Sequence, residues 1–444
     1  MKAKSAQAGV VPQPGEWKWP IGQDAPDLDL LAQTSISPGV LADLDGRLGP
    51  VFVTDIQRTG CDLRLDNSTR IEAVLDKGTI SADTSSQAVR EFELELKEGS
   101  RAALYGLARD LHAAVPLLIT VESKVERGRR LKTGAPSAAC KASDLHLTSD
   151  LDVAEAFRRF VRTCLGHLVG NQAAARAGVP EGVHQMRIAL RRLRTAMVLF
   201  DPHLKPKARQ KLDVELQRLG RVLGDARDWD VFCLETLPAA MDALSNDSWA
   251  ELAEAAKAKC RTAHRRLRGE LDGPALTGLV LSMAAESEGE PGVSALLRRS
   301  ARRPLLEQAP RMLDRVARQA AKRGGKLAHR SEPELHALRK SLKRLRYSVE
   351  FLGSLYDRES VKSYAHHCKE LQEGLGAVND AAVAENLLGR LSKANPAKIH
   401  GSAAALTRWG HQCRGRARHR SVEGWREFKQ TLPFWADTAS GGFR

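Results

Sequence analysis

From residue 151 onward, apolar positions recur with the 3.6-residue period of an α-helix. Residues 152–171, 206–224 and 357–376 carry this pattern, and turn-forming residues occur only between such segments. The pattern predicts a chain that is helical over its last two-thirds.

Upstream, polar and apolar residues alternate instead. This alternation predicts strands at residues 51–59, 63–75 and 89–97, bounded by the turn signals DNS and DKG. A helix is predicted at residues 100–114, and residues 132–143 have the composition of a linker. We therefore divide the chain into a small, incomplete α+β region with antiparallel strands (1–131), a linker (132–149) and a helical domain (150–436).

One stretch of the helical domain occurs twice. Residues 183–200 read VHQMRIALRRLRTAMVLF, and residues 335–352 read LHALRKSLKRLRYSVEFL. A shift of 152 residues places His184 on His336 and Asp228 on Asp380 without a gap. We predict two tandem helical repeats, at about 150–290 and 300–436, related by pseudo-twofold symmetry.

A helical wheel separates the repeated helix into an apolar face and a cationic stripe. The apolar faces contain Met186, Leu190, Leu193 and Met197 in one copy and Leu338, Leu342, Leu345 and Val349 in the other. The stripes contain His184, Arg187, Arg191 and Arg194, and His336, Arg339, Lys343 and Arg346. Like charges three and four residues apart repel each other, so the stripes predict an extended anionic ligand. Arginine suits phosphate because its fork binds two oxygens at once.

These eight residues are the candidate polyanion-binding residues. Further candidates are the neighbouring cations Arg192, Lys340, Arg344, Arg218, Lys362 and Lys369. The alternative interpretation is a solvated helix face, with both histidines acting as caps or as hydrogen-bonding core residues. We expect no metal at His184 or His336, because neither has a His, Asp or Glu at i+4 or belongs to an HExxH motif.

Charge supports an anionic partner. The net charge is +15 and the pI about 9.7. Residues 1–149 hold 18 Lys and Arg against 20 Asp and Glu, whereas residues 150–444 hold 51 against 34, so the basic excess belongs to the helical domain. Aromatic residues make up 5% of the chain, fewer than a base-stacking platform would use.

Seven scattered cysteines without a CxxC pair indicate reduced thiols, which are typical of a cytoplasmic protein. No apolar run is long enough for a membrane span, so we expect no membrane partner.

The doubled H-x-x-R-x-x-x-[RK]-R-x-R motif and the closing EGWREFKQTLPFW (423–435) resemble the CHAD domain family over about 150–435. The resemblance implies a mainly α fold, in which two pseudo-symmetric four-helix bundles form a basic groove or pore. It also implies that the stripe residues face this pore and bind inorganic polyphosphate. A cytoplasmic location, with association to polyphosphate granules, would follow.

The stretches GEWKWP, GPVFVTDIQRT, IEAVLDKG, EFELELKEG and ESKVERG resemble the later portion of a CYTH domain, a triphosphate tunnel fold. Matching tunnel positions are Arg58, Glu72, Glu93, Glu95, Lys124 and Arg127. The resemblance implies that Glu93 and Glu95 are candidate metal ligands, and that Mg²⁺ or Mn²⁺ would be needed only for an active tunnel. The ExExK strand that opens this family's fold has no counterpart in the 50 residues before VFVTDIQRT. We therefore expect open sheet edges and no triphosphatase activity.

Three functional hypotheses follow. The first is an inorganic polyphosphate-binding module without a catalytic residue or cofactor, which also accepts other polyanions. The second is a metal-dependent triphosphatase or polyphosphatase that uses the CYTH-like region. The third is a non-specific nucleic-acid-binding protein.

Overall fold

The computed structural model describes residues 2–4, 16–20, 29–34, 49–65, 68–244, 249–289, 294–393 and 396–436. The chain forms two compact units. One consists of Met1–Glu98 with Val121–Pro136, and the other of Gly99–Thr120 with Ser137–Arg444. Helix α1 (Arg101–Ala114), which the sequence grouped with the strands, belongs to the second unit.

The first unit contains antiparallel strands. Its elements are β1 (Lys2–Lys4), β2 (Glu16–Lys18), a 3-10 helix (Asp29–Gln33), β3 (Val53–Arg64), β4 (Arg70–Ala82), β5 (Ser85–Glu98) and helix α2 (Lys124–Thr133). Strands β3, β4 and β5 form one sheet in that order, and β1 pairs with β2. Across the larger sheet Arg58 lies opposite Asp76, which lies opposite Glu91.

The prediction of one strand over residues 63–75 was wrong. Residues 63 and 64 end β3, whereas residues 70–75 belong to the antiparallel β4, and DKG lies inside β4. Apolar and polar residues alternate both at the end of β3 and at the start of β4, so the sequence pattern did not separate the two strands. In the part of the chain that the structure describes, β3 and β5 are the outer strands of their sheet.

The second unit is helical. After α1 it contains α3 (Val153–Gly170), α4 (Gln172–Arg176), α5 (Pro180–Leu199), α6 (Pro206–Val231), α7 (Leu237–Ala243), α8 (Trp249–Asp272), α9 (Pro274–Glu288), α10 (Leu305–Gly324), α11 (Glu332–Leu352), α12 (Arg358–Ser392) and α13 (Pro396–Gln430). A π-helical turn at Phe232–Thr236 joins α6 to α7. None of the helices in the described ranges is both long and apolar enough to cross a membrane.

The sequence repeat is a structural repeat. Helices α3, α5 and α6 begin at residues 153, 180 and 206, and α10, α11 and α12 begin 152 residues later, at 305, 332 and 358. Local signals fix several of these starts: Asp152 caps α3, Ser331 and Glu334 form a capping box at α11, and Asp357 caps α12.

Each repeat packs four long helices together: α3, α5, α6 and α8 in the first, and α10 to α13 in the second. The residues before α3 and α10 pair as an antiparallel bridge between Asp152 and Pro304, which are themselves 152 residues apart. Because equivalent residues meet there, the pseudo-twofold axis passes through this bridge.

The repeats share one apolar core. Phe160 of α3 contacts Phe351 of α11 edge to face, with ring centroids 3.8 Å apart, and also contacts Phe200 at 5.6 Å. The predicted apolar faces of α5 and α11 are buried, with Met186 and Leu342 fully inaccessible. Helix α1 packs on α9, which packs on α3. The core therefore buries the apolar faces of α5 and α11 and leaves their cationic faces outside the apolar interior.

Candidate functional site

The two copies of the repeated helix, α5 and α11, pack against each other. They bring together four half-buried cations, which we call the central cation cluster: Arg187, Arg191, Arg339 and Lys343. The shift of 152 residues relates Arg187 to Arg339 and Arg191 to Lys343. The pseudo-twofold symmetry therefore supplies both halves of the cluster.

The cations of this cluster repel one another. The pKa of the Lys343 amine is lowered to about 6, and burial is the largest cause. The positive charges of Arg191, Arg339 and Arg187 follow, in that order. The pKa of Arg191 is also lowered, first by burial, and Arg187, Arg339 and Arg346 add to the effect. A bound anion would relieve this repulsion.

Two carboxylates partly offset the charge. Arg187 donates to Asp228 Oδ1 at 2.8 Å and to the Gly224 carbonyl at 3.3 Å. Arg339 lies 3.8 Å from Asp380 Oδ1. In the described part of the chain, no salt bridge reaches Arg191 or Lys343, so these two cations can accept an anionic ligand without losing a partner.

A second group of cations lies beside the first. Arg194 of α5 meets α11 near Lys340 and Arg344, whose pKa values are lowered by burial first and then by neighbouring cations, Arg194 among them. Arg323 of α10 acts on both and donates to the Ser341 hydroxyl. We call Arg194, Arg323, Lys340 and Arg344 the flanking cation cluster. The sequence did not single out Arg323; its only signal was its place beside Lys322 at the end of a basic helix.

The region that the pseudo-twofold symmetry relates to the flanking cation cluster has less uncompensated positive charge. Arg346 pairs with Glu350 at 2.9 Å and lies over the Tyr347 ring at 4.8 Å. Arg192 lies over the Phe351 ring at 5.1 Å. The wheel placed Arg194 and Arg346 in equivalent stripes, and each has an acidic partner, which for Arg194 is Asp213 at 3.6 Å. Their surroundings differ because Arg194 also lies beside Lys340 and Arg344.

Both stripe histidines have lowered pKa values, with burial as the largest cause. His336 hydrogen-bonds to the Asn379 side chain, whereas the charge of Arg227 acts on His184. Positions 227 and 379 are equivalent in the repeat, so one histidine faces an amide and the other a cation. A cavity of about 400 Å³ adjoins His336, Asn379 and Asp228.

The remaining predicted cations have carboxylate partners. Arg218 binds Glu215 at 3.4 Å and also Glu270 of α8. Lys362 pairs with Glu359 at 2.8 Å, and Lys369 lies 3.8 Å from Glu373. The structure does not bring these three together with the two clusters.

The strand unit carries a separate network of charges. Asp76, whose side chain is fully buried, accepts from Arg58 at 2.7 and 2.8 Å and pairs with Lys124 at 2.8 Å. The pKa of Asp76 is lowered to about 2, chiefly by the Arg58 hydrogen bond. Lys124 also pairs with Glu91 and Glu93, at 2.6 and 2.9 Å.

Asp76, Glu91 and Glu93 lie close enough together to hold a metal ion. Of the two predicted metal candidates, Glu93 belongs to this group, whereas Glu95 pairs with Lys97 at 2.9 Å. The sequence pattern did not identify Asp76 and Glu91 as members of this group of carboxylates. Because lysine and arginine side chains already pair with these carboxylates, a metal ion would have to compete with them.

A family model matches this chain: the CHAD domain, over residues 159–389. Uncharacterised proteins from two strains of Mycobacterium tuberculosis are 30% identical over 241 residues. The matched part is 50% of this chain and 43% of theirs, so the chain spans less than half the length of these relatives.

Two solved structures share the fold. The crystal structure of the CHAD domain from the plant Ricinus communis has a TM-score of 0.58 and 27% identity, and the match covers 67% of this chain and 98% of that one. PptA from Streptomyces chartreusis has a TM-score of 0.50 and 13% identity, covering 62% and 100%, and shows the fold alone. With the family model matching residues 159–389, the chain belongs to the CHAD domain family.

Proposed function

We propose that the helical unit binds inorganic polyphosphate at the central and flanking cation clusters. The CHAD domain is a binding module linked to polyphosphate binding in general. The observation that carries the proposal for this chain is the unbalanced charge of the central cluster. Four cations from two equivalent helices meet two carboxylates, and Arg191 and Lys343 are left for a ligand.

A chain of phosphates suits this arrangement better than one small anion. The central cluster lies on two helices, and the flanking cluster extends it through Lys340 and Arg344 on the same α11. A polymer can contact successive cations while the guanidinium groups bind its oxygens in pairs. We propose that this binding needs neither a catalytic residue nor Mg²⁺ or Mn²⁺.

The test is calorimetric titration of the full chain with long-chain polyphosphate at low and high salt. We expect tight binding that weakens steeply with salt, because each phosphate contact releases counterions. Duplex DNA and RNA are the competitors. Failure of nucleic acid to displace polyphosphate supports the proposal, whereas equal or better binding to nucleic acid makes the protein a general polyanion binder.

The decisive variant combines Arg191→Glu with Lys343→Glu. We expect affinity to fall at least about a hundredfold, since hydrogen bonds to charged groups contribute about 1.5–3 kcal/mol each. The variant should fold, because Arg187 and Arg339 can pair with the new carboxylates. A matched control reverses two exposed cations of α8, Lys257→Glu with Arg266→Glu. Normal binding by the Arg191–Lys343 variant would show that the central cluster is not the site.

We also propose that the protein associates with polyphosphate granules in the cytoplasm. The support is the same ligand chemistry. Fluorescence imaging of the tagged full chain tests this proposal, with the Arg191–Lys343 variant as the control. Recruitment to granules through the central cation cluster should be lost in that variant.

A further inference from the structure

A group of metal-ligating side chains lies in the first helical repeat, apart from the residues that form the two cation clusters. Asp230 is the next-to-last residue of α6, Cys233 follows in the π-helical turn, and Cys260 and His264 lie on α8. One ligand atom from each of Asp230, Cys260 and His264 lies within 4.8 Å of the others. None of these residues has a role in the polyanion site.

The contacts inside the group are close. A His264 ring nitrogen, Nε2, hydrogen-bonds to Asp230 Oδ1 at 2.7 Å, and the Cys260 thiol donates to the same oxygen at 3.5 Å. The Cys233 thiol lies near the Cys260 thiol, and each shifts the pKa of the other: the pKa of Cys233 is lowered and that of Cys260 is raised. Cys233 lies beside the triad but outside the group of three whose ligand atoms are within 4.8 Å of one another, so it would complete the site by moving toward them.

The helices produce this convergence by spacing. Cys260 and His264 are four residues apart, so both project from one side of α8, and Asp230 and Cys233 are three apart on the facing segment. The π-helical turn starts at Phe232, between these two ligands. Such turns inside helices are frequently found at functional sites.

An unpaired buried carboxylate oxygen points to an absent ligand. Asp230 is 2% exposed, and its Oδ2 has no hydrogen-bond partner among the described residues. The His264 nitrogen that faces this group is Nε2; the other ring nitrogen, Nδ1, lies beside Gly178 and plays no part in the site. A buried carboxylate oxygen without a partner is costly to stability and rare in folded proteins.

We propose that Asp230, Cys233, Cys260 and His264 bind one Zn²⁺ ion. Two thiolates, an imidazole and a carboxylate are the nitrogen, sulfur and oxygen ligands that zinc takes in tetrahedral sites. Mg²⁺ and Ca²⁺ prefer oxygen ligands and fit this group poorly. Four protein ligands leave no open position, so the ion links α6 to α8 as a structural site.

A zinc ion between α6 and α8 would also affect the central cation cluster. Asp228, the partner of Arg187, lies two residues before Asp230 on α6. Zinc would therefore hold the end of the helix that positions this carboxylate. The proposal does not depend on polyphosphate binding, because its ligands and its measurements are separate.

The test uses the full chain, purified metal-free under reducing conditions, with Co²⁺ as a spectroscopic substitute for Zn²⁺. We expect one Co²⁺ per chain, thiolate-to-cobalt charge-transfer absorption, and displacement of Co²⁺ by Zn²⁺. Zinc should raise the thermal midpoint by at least about 5 °C when it is in large excess over Kd. The double variant Cys233→Ser with Cys260→Ser should abolish the charge-transfer band, and Cys260→Ser alone should weaken it. Cys413→Ser, on α13, should leave it unchanged.

A second measurement needs no variant. Alkylation followed by mass spectrometry should show that Zn²⁺ protects Cys233 and Cys260 and leaves Cys413 reactive. The proposal is overturned if Co²⁺ gives no thiolate band, if the full band survives in the double variant Cys233→Ser with Cys260→Ser, or if Zn²⁺ protects neither thiol. In that case the His264–Asp230 pair is an ion pair between helices and nothing more.

Discussion

Arg191 and Lys343 hold equivalent positions in the two repeats, and the pKa of each is lowered by burial and by cations of the other's helix. Arg339 and Arg346 of α11 act on Arg191, and Arg187 and Arg191 of α5 act on Lys343. The free protein therefore holds an amine that readily loses its proton, in the place where we propose that an anion binds.

Polyphosphate binding should take up about one proton at Lys343 near pH 8. The free amine has a pKa of about 6, and bound phosphate would raise it toward its ordinary value of about 10.5. Affinity should consequently fall as pH rises above about 6. Calorimetry in buffers of different ionisation enthalpy measures the uptake. Lys343→Arg should remove the Lys343 contribution, and unchanged uptake in that variant would contradict the assignment.

Replacing Lys343 by methionine should stabilise the free protein and weaken polyphosphate binding. The folded pKa lies below the unfolded one, so the native state binds fewer protons and the penalty is complete below about pH 6. It disappears as pH rises toward about 10.5. We expect a gain of about 1–2 kcal/mol at pH 7, less than the full shift implies because solvent reaches the side chain. Urea unfolding at pH 7 and pH 10 checks this, and a gain that grows with pH would contradict it.

Neutralising one central cation should lower the salt dependence of binding. Each phosphate contact contributes about −0.7 to the slope of log K against log salt concentration for a single-stranded polymer. Arg191→Gln should therefore reduce the magnitude of the slope by about 0.7. Lys257→Gln, on the exposed face of α8, serves as the control and should keep the slope of the native protein.

Truncating Phe351 should destabilise both repeats together. Its ring contacts Phe160 of the other repeat at 3.8 Å and lies under the Arg192 guanidinium. Phe351→Ala should cost about 3–5 kcal/mol through lost burial and a cavity, and Phe351→Leu should cost less. Urea unfolding should remain a single transition for the helical unit, because the core is shared. Separate transitions for the two repeats would contradict a common core.

In the strand unit, Asp76→Asn should loosen β4 at neutral pH. The folded pKa of Asp76, about 2, lies below its unfolded value, so the ionised carboxylate contributes stability above about pH 4 and loses it as pH falls through about 2. Protection of the β4 amides from hydrogen exchange should be lower in the variant than in the native protein at pH 7, and this difference should shrink as the pH falls toward about 2. Asp83→Asn, at an exposed pair with Lys132, is the control.

The sequence by itself determined the repeat and the faces of its helices. The period of 152 residues, the starts of α5 and α11, and the burial of Leu338 and Leu342 all follow from local patterns. Caps, helical periodicity and apolar spacing act within a few residues of one another, so they can be read from the chain without its neighbours.

The tertiary structure alone decided which cations meet. A helical wheel gives the angle of Arg194 about the axis of its own helix, but the fold sets Arg194 beside Arg344 of α11 and 3.6 Å from Asp213 of α6. Contacts of this kind join residues far apart in the sequence, as in the pair of Arg218 with Glu270 or of His264 with Asp230. Burial and neighbouring charge also set the pKa of Lys343, and both depend on how α5 packs on α11.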